Sequence, residues 1–328
     1  MKHGWRPGAD GRPVVWQAGF GTRFIVTVDT EEEFDWRAPL TRDRWDVRAT
    51  AVLPAAHARF AERAVPVTYL VDHPIATDPR AADAIRAIVA AGDATIGAQL
   101  HPWVNPPFAA HEAPRESFPG NLPPVLEAAK LDRLGAAIAA LTGRPPIVYR
   151  AGRYGLGPNT LGLLAARGYR IDSSMRARYD YRGEGGPDYR AIGPGAFHTS
   201  EGLVEVPLTT LFTGRLRGRG AAIDAWAARL PRGRGLLART GLLARVALTP
   251  EDMPPAAALE AIRIAVGEGL ALLNLSFHSP SVAVGHTPYV RDAAGLAAFW
   301  RWWDAVLDLL DRLGVRAASC AEVLAAAG

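Results

Sequence analysis

The chain has almost no cysteine and no long apolar run. Its one cysteine, Cys320, excludes an intrachain disulfide, so the fold must be stable without one. No stretch of about 18 apolar residues is free of an interrupting charge, so no membrane span is predicted. Residues 1–8 lack the apolar core of a secretory signal peptide. We therefore expect a soluble, cytoplasmic protein.

Lysine is also scarce, with Lys2 and Lys130 the two lysines among 37 basic residues. The net charge of +4 is uneven, because residues 211–250 hold eight arginines against one acid, Asp224. This Arg-rich segment carries +7, which leaves −3 for the rest of the chain. It shows no interleaving of aromatic residues and no known binding module, so we predict no nucleic-acid partner. The remaining alternative is an anion- or nucleic-acid-binding role for this segment, with an affinity that falls steeply with salt. The sequence does not indicate an oligomeric state.

Strand-like and helix-like segments alternate from residue 23 to the end. With 49% apolar and 21% charged residues the chain is predicted to be a folded globule, and the alternation is typical of an α/β fold with a parallel sheet. We expect an arm at 1–22 and one domain at 23–328. The predicted strands are 23–29, 66–71, 94–100, 146–150, 169–172, 203–206, 270–277 and 314–317. The predicted helices are 44–64, 79–91, 123–142, 158–167 and 292–313.

Three stretches interrupt the alternation. Residues 102–122, 176–201 and 207–256 are rich in proline, glycine or both, and they are predicted to be loops or irregular structure. The last of them contains the Arg-rich segment, which we interpret as an insertion. Loops of this length in a compact domain are usually functional lids or binding walls.

Polar residues cluster where predicted strands end. The four pieces concerned are Asp29-Thr30-Glu31, Gln99-Leu100-His101, Arg150 through Gly155, and Ser276 through Pro280. Barrel enzymes carry their chemistry at the carboxyl ends of the strands. Polar residues at these positions therefore favour a catalytic site more strongly than polar residues scattered along the chain would.

Asp29 and Glu31 are two residues apart, so their side chains point to one face of the strand. Two carboxylates on one face repel each other unless a cation or a proton lies between them. Because acidic residues continue through Asp35, a solvated acidic loop is an equally good interpretation.

Gln99 and His101 also share a face. Gln-x-His is a weaker metal signal than His-x-His, because an amide oxygen is a poor zinc ligand beside imidazole. For His101 alone, a structural histidine is the default. Trp103 could line a pocket or fill the core.

His278 ends a leucine-rich run and is placed for acid-base chemistry, since the pKa of histidine lies near neutrality. Arg150 could clamp Asp29 through a paired hydrogen bond, or it could form a purely structural ion pair. Asp172 ends another predicted strand and is suited to orient His278.

These residues together resemble the polysaccharide deacetylases, the NodB homology group of carbohydrate esterase family 4, and most closely their WalW-like branch. The resemblance spans about residues 23–326. It rests on six motifs in order: Thr27 through Trp36, Leu100 through Trp103, Gly120 through Pro123, Tyr149 through Gly157, Ile171 through Ser174, and Ser276 through Ser281 with Thr287 through Val290.

The resemblance implies a distorted, incomplete (β/α) barrel and metal-assisted hydrolysis of an N-acetyl group on a carbohydrate or small amide. It assigns Asp29 as the catalytic base and His278 as the general acid, with Arg150 orienting the base and Asp172 as the acid of the fourth motif. The metal ligands that it implies are Glu31, His101 and, in the place of a second histidine, Gln99. Trp103, Arg153 and Tyr154, from the same motifs, are the expected substrate contacts.

Gln99 departs from the family pattern and leaves three outcomes open. The first is a divalent metal, with zinc expected, that is held weakly with Gln99 as third ligand. The second is metal-free hydrolysis by Asp29 and His278. The third is a non-catalytic relative that binds a glycan or a partner protein through the same cleft.

Overall fold

The fold is a strongly curled, mostly parallel sheet with helices packed outside it, as a computed structural model of residues 11–108 and 113–328 shows. The strands are β1 Arg12–Pro13, β2 Arg23–Thr30, β3 Val67–Val71, β4 Ala94–Leu100, β5 Val148–Ala151, β6 Ile171–Asp172, β7 Phe197–His198, β8 Val204–Glu205, β9 Thr210–Thr213, β10 Ala244–Ala247, β11 Leu272–His278 and β12 Arg316–Ala317. The helices are α1 Leu53–Ala61, α2 His73–Thr77, α3 Pro79–Ala91, α4 Pro124–Thr142, α5 Thr160–Ala165, α6 Gly220–Ala227, α7 Gly233–Arg239, α8 Pro255–Gly267, α9 Ala293–Arg312 and α10 Cys320–Ala327.

The main sheet runs in the order β1-β7-β8-β6-β5-β4-β3-β2-β11, and β12 also pairs with β2. The pairs from β8 to β11 are parallel, whereas β7 and β1 add an antiparallel edge. The two end strands of this order, β1 and β11, do not pair with each other within the described residues. The predicted α/β class and the distorted, incomplete (β/α) barrel are confirmed.

The side chains of β2 point alternately to the two faces of the sheet and pack in two separate hydrophobic clusters. Phe24, Val26 and Val28 face the outer helices, where they pack in a cluster with residues of α1, α3, α8 and α9. Ile25 faces the inside of the curled sheet and packs with residues of α10, such as Val323. Helix α10 therefore closes one end of the barrel interior, and the carboxyl ends of the strands open at the other.

Several predicted boundaries agree closely with the structure. Helix α3 has the predicted bounds, and the capping box of Ser319 and Glu322 begins α10. The helix predicted at 44–64 is shorter, because a 3₁₀ turn at Arg48–Val52 precedes α1 and Pro54 stands in the first turn of that helix. Residues 11–22 of the predicted arm lie against the barrel through Val14 and Phe20, whereas residues 1–10 are outside the described part.

The prediction that 207–256 is irregular is wrong in part. Strands β9 and β10 form an antiparallel pair, and α6 and α7 lie between them in the chain. The two strands are short and separated by thirty residues, so no turn signal marks them as a hairpin. Helix α8, which follows this segment, was not among the predicted helices. Of the described helices, none is long and apolar enough to cross a membrane.

The chain segments at Gly120 and Gly157 approach each other so closely that even an added methyl group should destabilise the fold. A Cβ atom at Gly120 would lie 2.0 Å from the backbone nitrogen of Gly157, beside the hydrogen bond from the Gly120 amide to the Gly155 carbonyl. We expect Gly120→Ala to lower the free energy of unfolding by about 1–3 kcal/mol, as overpacking does. In the control Gly162→Ala, the new methyl meets no atom within 4 Å and should stabilise α5 by about 0.5–1 kcal/mol. Urea unfolding measures both, and equal stabilities of the two variants would contradict the prediction.

Candidate active site

The register of β2 and β11 brings two sequence-predicted residues face to face. Asp29 and His278 are direct partners in this parallel pair. Asp29 Oδ2 lies 3.7 Å from His278 Nε2. Both side chains line one cleft of about 650 Å³ at the carboxyl ends of the strands, together with Glu31, Gln99 and His101.

Asp29 is held by a buried arginine on β5. Arg150 Nη1 donates to Asp29 Oδ1 at 2.5 Å, and Nη2 donates to the Thr27 hydroxyl at 2.8 Å. The guanidinium also donates to the Ser173 carbonyl and hydroxyl at 2.8 and 2.9 Å. Arg150 is fully buried, so this set of acceptors compensates a charge that would otherwise be costly inside the protein. Asp29 Oδ2 remains directed toward His278.

His278 is held by Glu251, a residue that sequence reasoning missed. His278 Nδ1 lies 2.6 Å from Glu251 Oε2, and the His278 amide donates to Oε1 at 3.0 Å. Burial lowers the pKa of His278, but the carboxylates of Glu251, Glu31 and Asp29 outweigh it and raise this pKa to about 10. The imidazolium is therefore the favoured form at neutral pH, with Nε2–H toward Asp29 and the cleft.

The expectation that Asp172 orients His278 is wrong. Asp172 is paired in register with Tyr149 and Glu205 and lies on the outer face of the sheet, where it accepts a hydrogen bond from the Ser174 hydroxyl. The inward position on β6 is Ile171, which packs in the inner core. A single-residue step along a strand exchanges the two faces, so Asp172 cannot reach the cleft.

Three further buried side chains, Glu31, Gln99 and His101, line the same cleft. Glu31 Oε1 and Gln99 Oε1 have no hydrogen-bond partner in the part of the chain that the structure describes. His101 Nε2 lies 3.6 Å from Glu31 Oε2. Burial raises the pKa of Glu31 to about 8, against the opposing effects of His278 and His101. Buried polar atoms without partners are rare in proteins, and a carboxylate oxygen, an amide oxygen and an imidazole nitrogen are all competent ligands for a divalent cation.

The other face of His101 is fixed by neighbouring polar groups. His101 Nδ1 lies 2.7 Å from Glu32 Oε2, and the Trp103 indole N–H donates to Glu32 Oε1 at 2.7 Å. The Trp103 ring also stacks on the imidazole, with centroids 4.3 Å apart. Hydrogen bonding of one ring nitrogen to a carboxylate leaves the other nitrogen available as a metal ligand.

Glu32, Asp72 and His101 are themselves close enough to hold a metal ion. The oxygens of Asp72 already accept hydrogen bonds from the amides of Glu32 and Ile75, and both oxygens of Glu32 are engaged as described above. This trio is therefore better suited to orient His101 than to bind a cation. The pair of atoms without partners, on Glu31 and Gln99, is the better candidate.

The remaining predicted residues form the cleft walls. Trp103, Arg153 and Tyr154 line it. Arg153 stacks on Phe118, with its guanidinium carbon 4.1 Å from the ring centroid, and pairs with Glu184 at 2.5 Å. Aromatic rings of Phe34, Trp36, Tyr181 and Tyr289 complete the lining. An aromatic cleft with a few fixed polar groups is the usual form of a small-molecule site.

Solved structures provide the comparison for this architecture. No family model and no curated protein matches the chain. A Mycobacterium smegmatis protein assigned as a polysaccharide deacetylase is similar over 97% of this chain and 93% of its own, with 19% identity and a TM-score of 0.50. A Pseudomonas aeruginosa PAO1 protein with the same assignment matches over 95% and 92%, with 14% identity and a TM-score of 0.51. The chain has the polysaccharide deacetylase fold.

A third solved structure of similar fold carries a broader assignment. A Parabacteroides distasonis protein assigned as a glycoside hydrolase/deacetylase matches over 90% of this chain and 69% of its own, with 14% identity and a TM-score of 0.58. At these identities the likeness concerns the fold, and activity has to be argued from the site. Placement in the WalW-like branch stays a prediction.

The sequence gives a weak indication that Glu251 belongs to the site. Glu251 follows β10 and precedes α8, and so occupies a strand end like the predicted residues. Recognition of Ala244–Ala247 as a strand would have marked it. The buried Asn274 is hydrogen-bonded to Thr27 and Ser173, two of the residues that accept hydrogen bonds from Arg150. Its structural role is easier to recognise in the sequence, because it is a polar residue within a leucine-rich run.

Replacement of Glu251 tests its effect on His278. We expect Glu251→Gln to lower the pKa of His278 by more than about one unit, because the neutral amide removes the adjacent negative charge. A pH titration of the His278 imidazole signals by NMR measures the change. Asp252→Asn is the control, because Asp252 is exposed and the carboxylates that raise the pKa of His278 are those of Glu251, Glu31 and Asp29. Equal titration in the wild type and Glu251→Gln would show that Glu251 does not set the charge of His278.

Proposed function

We propose that this protein is a hydrolase that removes an acetyl or similar acyl group from the amide nitrogen of a sugar, with Asp29 as base and His278 as acid. The observation that carries the proposal is the 3.7 Å separation of Asp29 Oδ2 and His278 Nε2 across the cleft. Each of the two groups is held from behind by a partner of opposite charge, Arg150 and Glu251 respectively. A base and an acid fixed opposite each other are what amide hydrolysis requires.

The base side of this mechanism rests on Asp29. Its Oδ1 is occupied by Arg150, so Oδ2 is the oxygen that can accept a proton from an attacking water. Because the guanidinium is fixed by Thr27 and Ser173 as well, the carboxylate has little freedom to turn away. Positioning of this kind lowers the barrier by removing motions that the reaction would otherwise have to freeze.

The acid side rests on His278. Its Nδ1 is hydrogen-bonded to Glu251, so the proton available to the substrate is the one on Nε2. Transfer of that proton to the leaving nitrogen converts a poor amide leaving group into a neutral amine. The raised pKa keeps the imidazole charged before the reaction, as an acid requires.

Glu31, Gln99 and His101 would hold a divalent metal, and the two oxygens without partners support this assignment. A metal bound there would polarise the acyl carbonyl and lower the pKa of a bound water. This set offers two oxygens and one imidazole nitrogen, whereas zinc sites usually contain more nitrogen or sulfur ligands. We therefore propose weak zinc binding, with Glu32 and Trp103 orienting His101.

The substrate side of the proposal rests on the aromatic lining. Trp36 packs edge-on against His278 with centroids 5.1 Å apart and against Tyr289 at 5.6 Å. Such rings provide apolar faces beside the catalytic pair, and Arg153 and Tyr154 add polar groups to the lining of the cleft. Trp103, Arg153 and Tyr154 are accordingly proposed as substrate contacts. A cytoplasmic location also stays a prediction.

Substitution of the acid and the base tests the proposal. We expect His278→Ala to lower the rate of acetate release from N-acetylated chitooligosaccharides by about 10²–10⁴-fold, the usual contribution of an acid-base group, with little loss of melting temperature. Asp29→Asn should abolish release. His57→Gln is a control away from the cleft, since His57 is buried between Tyr69 and the Gly92 carbonyl. Tight binding of the oligosaccharides without turnover by the wild type would favour a catalytically inactive glycan-binding protein instead.

Gln99 offers a separate test of the metal assignment. Gln99→His should raise zinc affinity by about tenfold or more, because even partners outside the coordination sphere change metal affinity on that scale. The change is local, since residues 99 and 101 already project to the same face. Gln99→Met is the matched control, which keeps the size of the side chain and removes the oxygen. Calorimetric zinc titration compares the three proteins, and tight binding that is equal in all of them would mean that another residue is the third ligand.

A further inference from the structure

Arg176 lies at the boundary between the catalytic cleft and a second cavity of about 210 Å³. Both cavities are lined by Arg176, Tyr154, His278 and Tyr289. The second cavity also contains the polar side chains of Thr209, Thr249, Glu251, Asp252, Asn274 and Ser276. Arg176 is thus a positively charged group beside the proposed acid, and the proposed mechanism does not use it.

Aromatic rings fix the plane of this guanidinium. Its central carbon lies 3.9 Å from the ring centroid of Tyr179 and 5.4 Å from that of Tyr154. Stacking on flat rings is a common way to position arginine, and it leaves the N–H groups along the edge available for hydrogen bonding. One of them, on Nη1, lies 3.5 Å from the Tyr181 hydroxyl.

The other edge of the guanidinium lacks a partner. Arg176 Nε is buried and has no hydrogen-bond acceptor among residues 11–108 and 113–328. In the same part of the chain no carboxylate oxygen lies within 4.0 Å of the Arg176 nitrogens. A buried cation without a counter-charge destabilises the protein that contains it.

Other arginines near the cleft are paired, which makes Arg176 unusual. Arg150 pairs with Asp29, and Arg153 pairs with Glu184. Arg245, which stacks on the same Tyr179 ring at 3.9 Å, lies 3.8 Å from Asp224. The nearby carboxylate of Glu251 is already occupied by His278 and Ser281. The missing partner of Arg176 is therefore best supplied from outside the chain.

We propose that Arg176 binds a carboxylate of the substrate, so that the preferred substrate is an acidic N-acyl sugar rather than a neutral one. This inference rests on the proposed function and names the substrate class of the same cleft. Nε–H and one terminal N–H of a guanidinium match the two oxygens of a carboxylate in a bidentate pair. Because Arg176 and His278 line the same two cavities, a substrate held at Arg176 places its remaining groups near the acid.

The test compares an acidic sugar with its neutral ester. N-acetylmuramic acid and its methyl ester share the N-acetyl sugar and differ at one carboxyl group, which is charged in the acid and is neutral with an added methyl in the ester. Binding is measured by calorimetry in the Asp29→Asn background, so that turnover does not consume either probe. We expect the acid to bind at least about tenfold more tightly than the ester, as a charge-assisted pair would give.

Two further variants assign that preference to one residue. Arg176→Met should remove it, and Arg176→Lys should retain part of it, because lysine keeps the charge but not the fork. Arg245→Met is the matched control, since it removes the other cation on the Tyr179 ring and should leave the preference intact. Melting temperatures confirm that each variant is folded.

The outcomes separate this inference from the proposed function. Equal binding of acid and ester, no binding of the acid, or a preference that survives in Arg176→Met would each overturn the carboxylate site. None of these binding results would contradict the proposed hydrolase activity, because turnover is not measured. Conversely, tight and Arg176-dependent binding of the acid would support the site even if the wild-type chain released no acetate, a result that would count against the hydrolase alone.

Discussion

The buried guanidinium of Arg150 is the interaction on which the site depends. It contacts Thr27 and Asp29 on β2 and Ser173 after β6, and Ser173 is joined in turn to Asn274 on β11. One charge thus connects the strand of the proposed base, the strand of the proposed acid and the centre of the sheet. Since a buried charge must be compensated, variants that remove these acceptor oxygens should be less stable than variants that keep an oxygen, such as Asp29→Asn. The same network that stabilises the barrel interior therefore fixes the reacting groups.

The two histidines of the cleft are held in similar ways but suited to opposite tasks. In each, Nδ1 lies within 2.7 Å of a glutamate oxygen, from Glu32 for His101 and from Glu251 for His278. His278 Nε2 faces Asp29, which favours the charged ring. His101 Nε2 faces Glu31. Glu31 Oε1 and Gln99 Oε1 lack hydrogen-bond partners among the described residues, and this favours a cation at these side chains. The difference lies in what surrounds the second ring nitrogen.

Strand ends and side-chain alternation made much of this predictable. The runs that end at Asp29, Arg150 and His278 are apolar and short, so the sequence predicted these strands and the open edge of the barrel. The position of Asp172 could not be predicted in this way, because its outward orientation depends on the strand register, which the sequence does not determine. The β9–β10 pair was missed because thirty residues separate its two strands, and Glu251, whose signal depends on recognising β10, was missed with it. The unpaired edge of Arg176 depends on tertiary contacts alone.

The activity proposed for the cleft is hydrolysis of an amide, on a fold shared with a protein assigned as a glycoside hydrolase/deacetylase. The most direct measurement is mass spectrometry of the products formed from an N-acetylated oligosaccharide in H₂¹⁸O. We expect acetate that carries one solvent oxygen and an oligosaccharide of unchanged length with a new free amine. Shortened oligosaccharides labelled at a newly formed reducing end, with no labelled acetate, would contradict it.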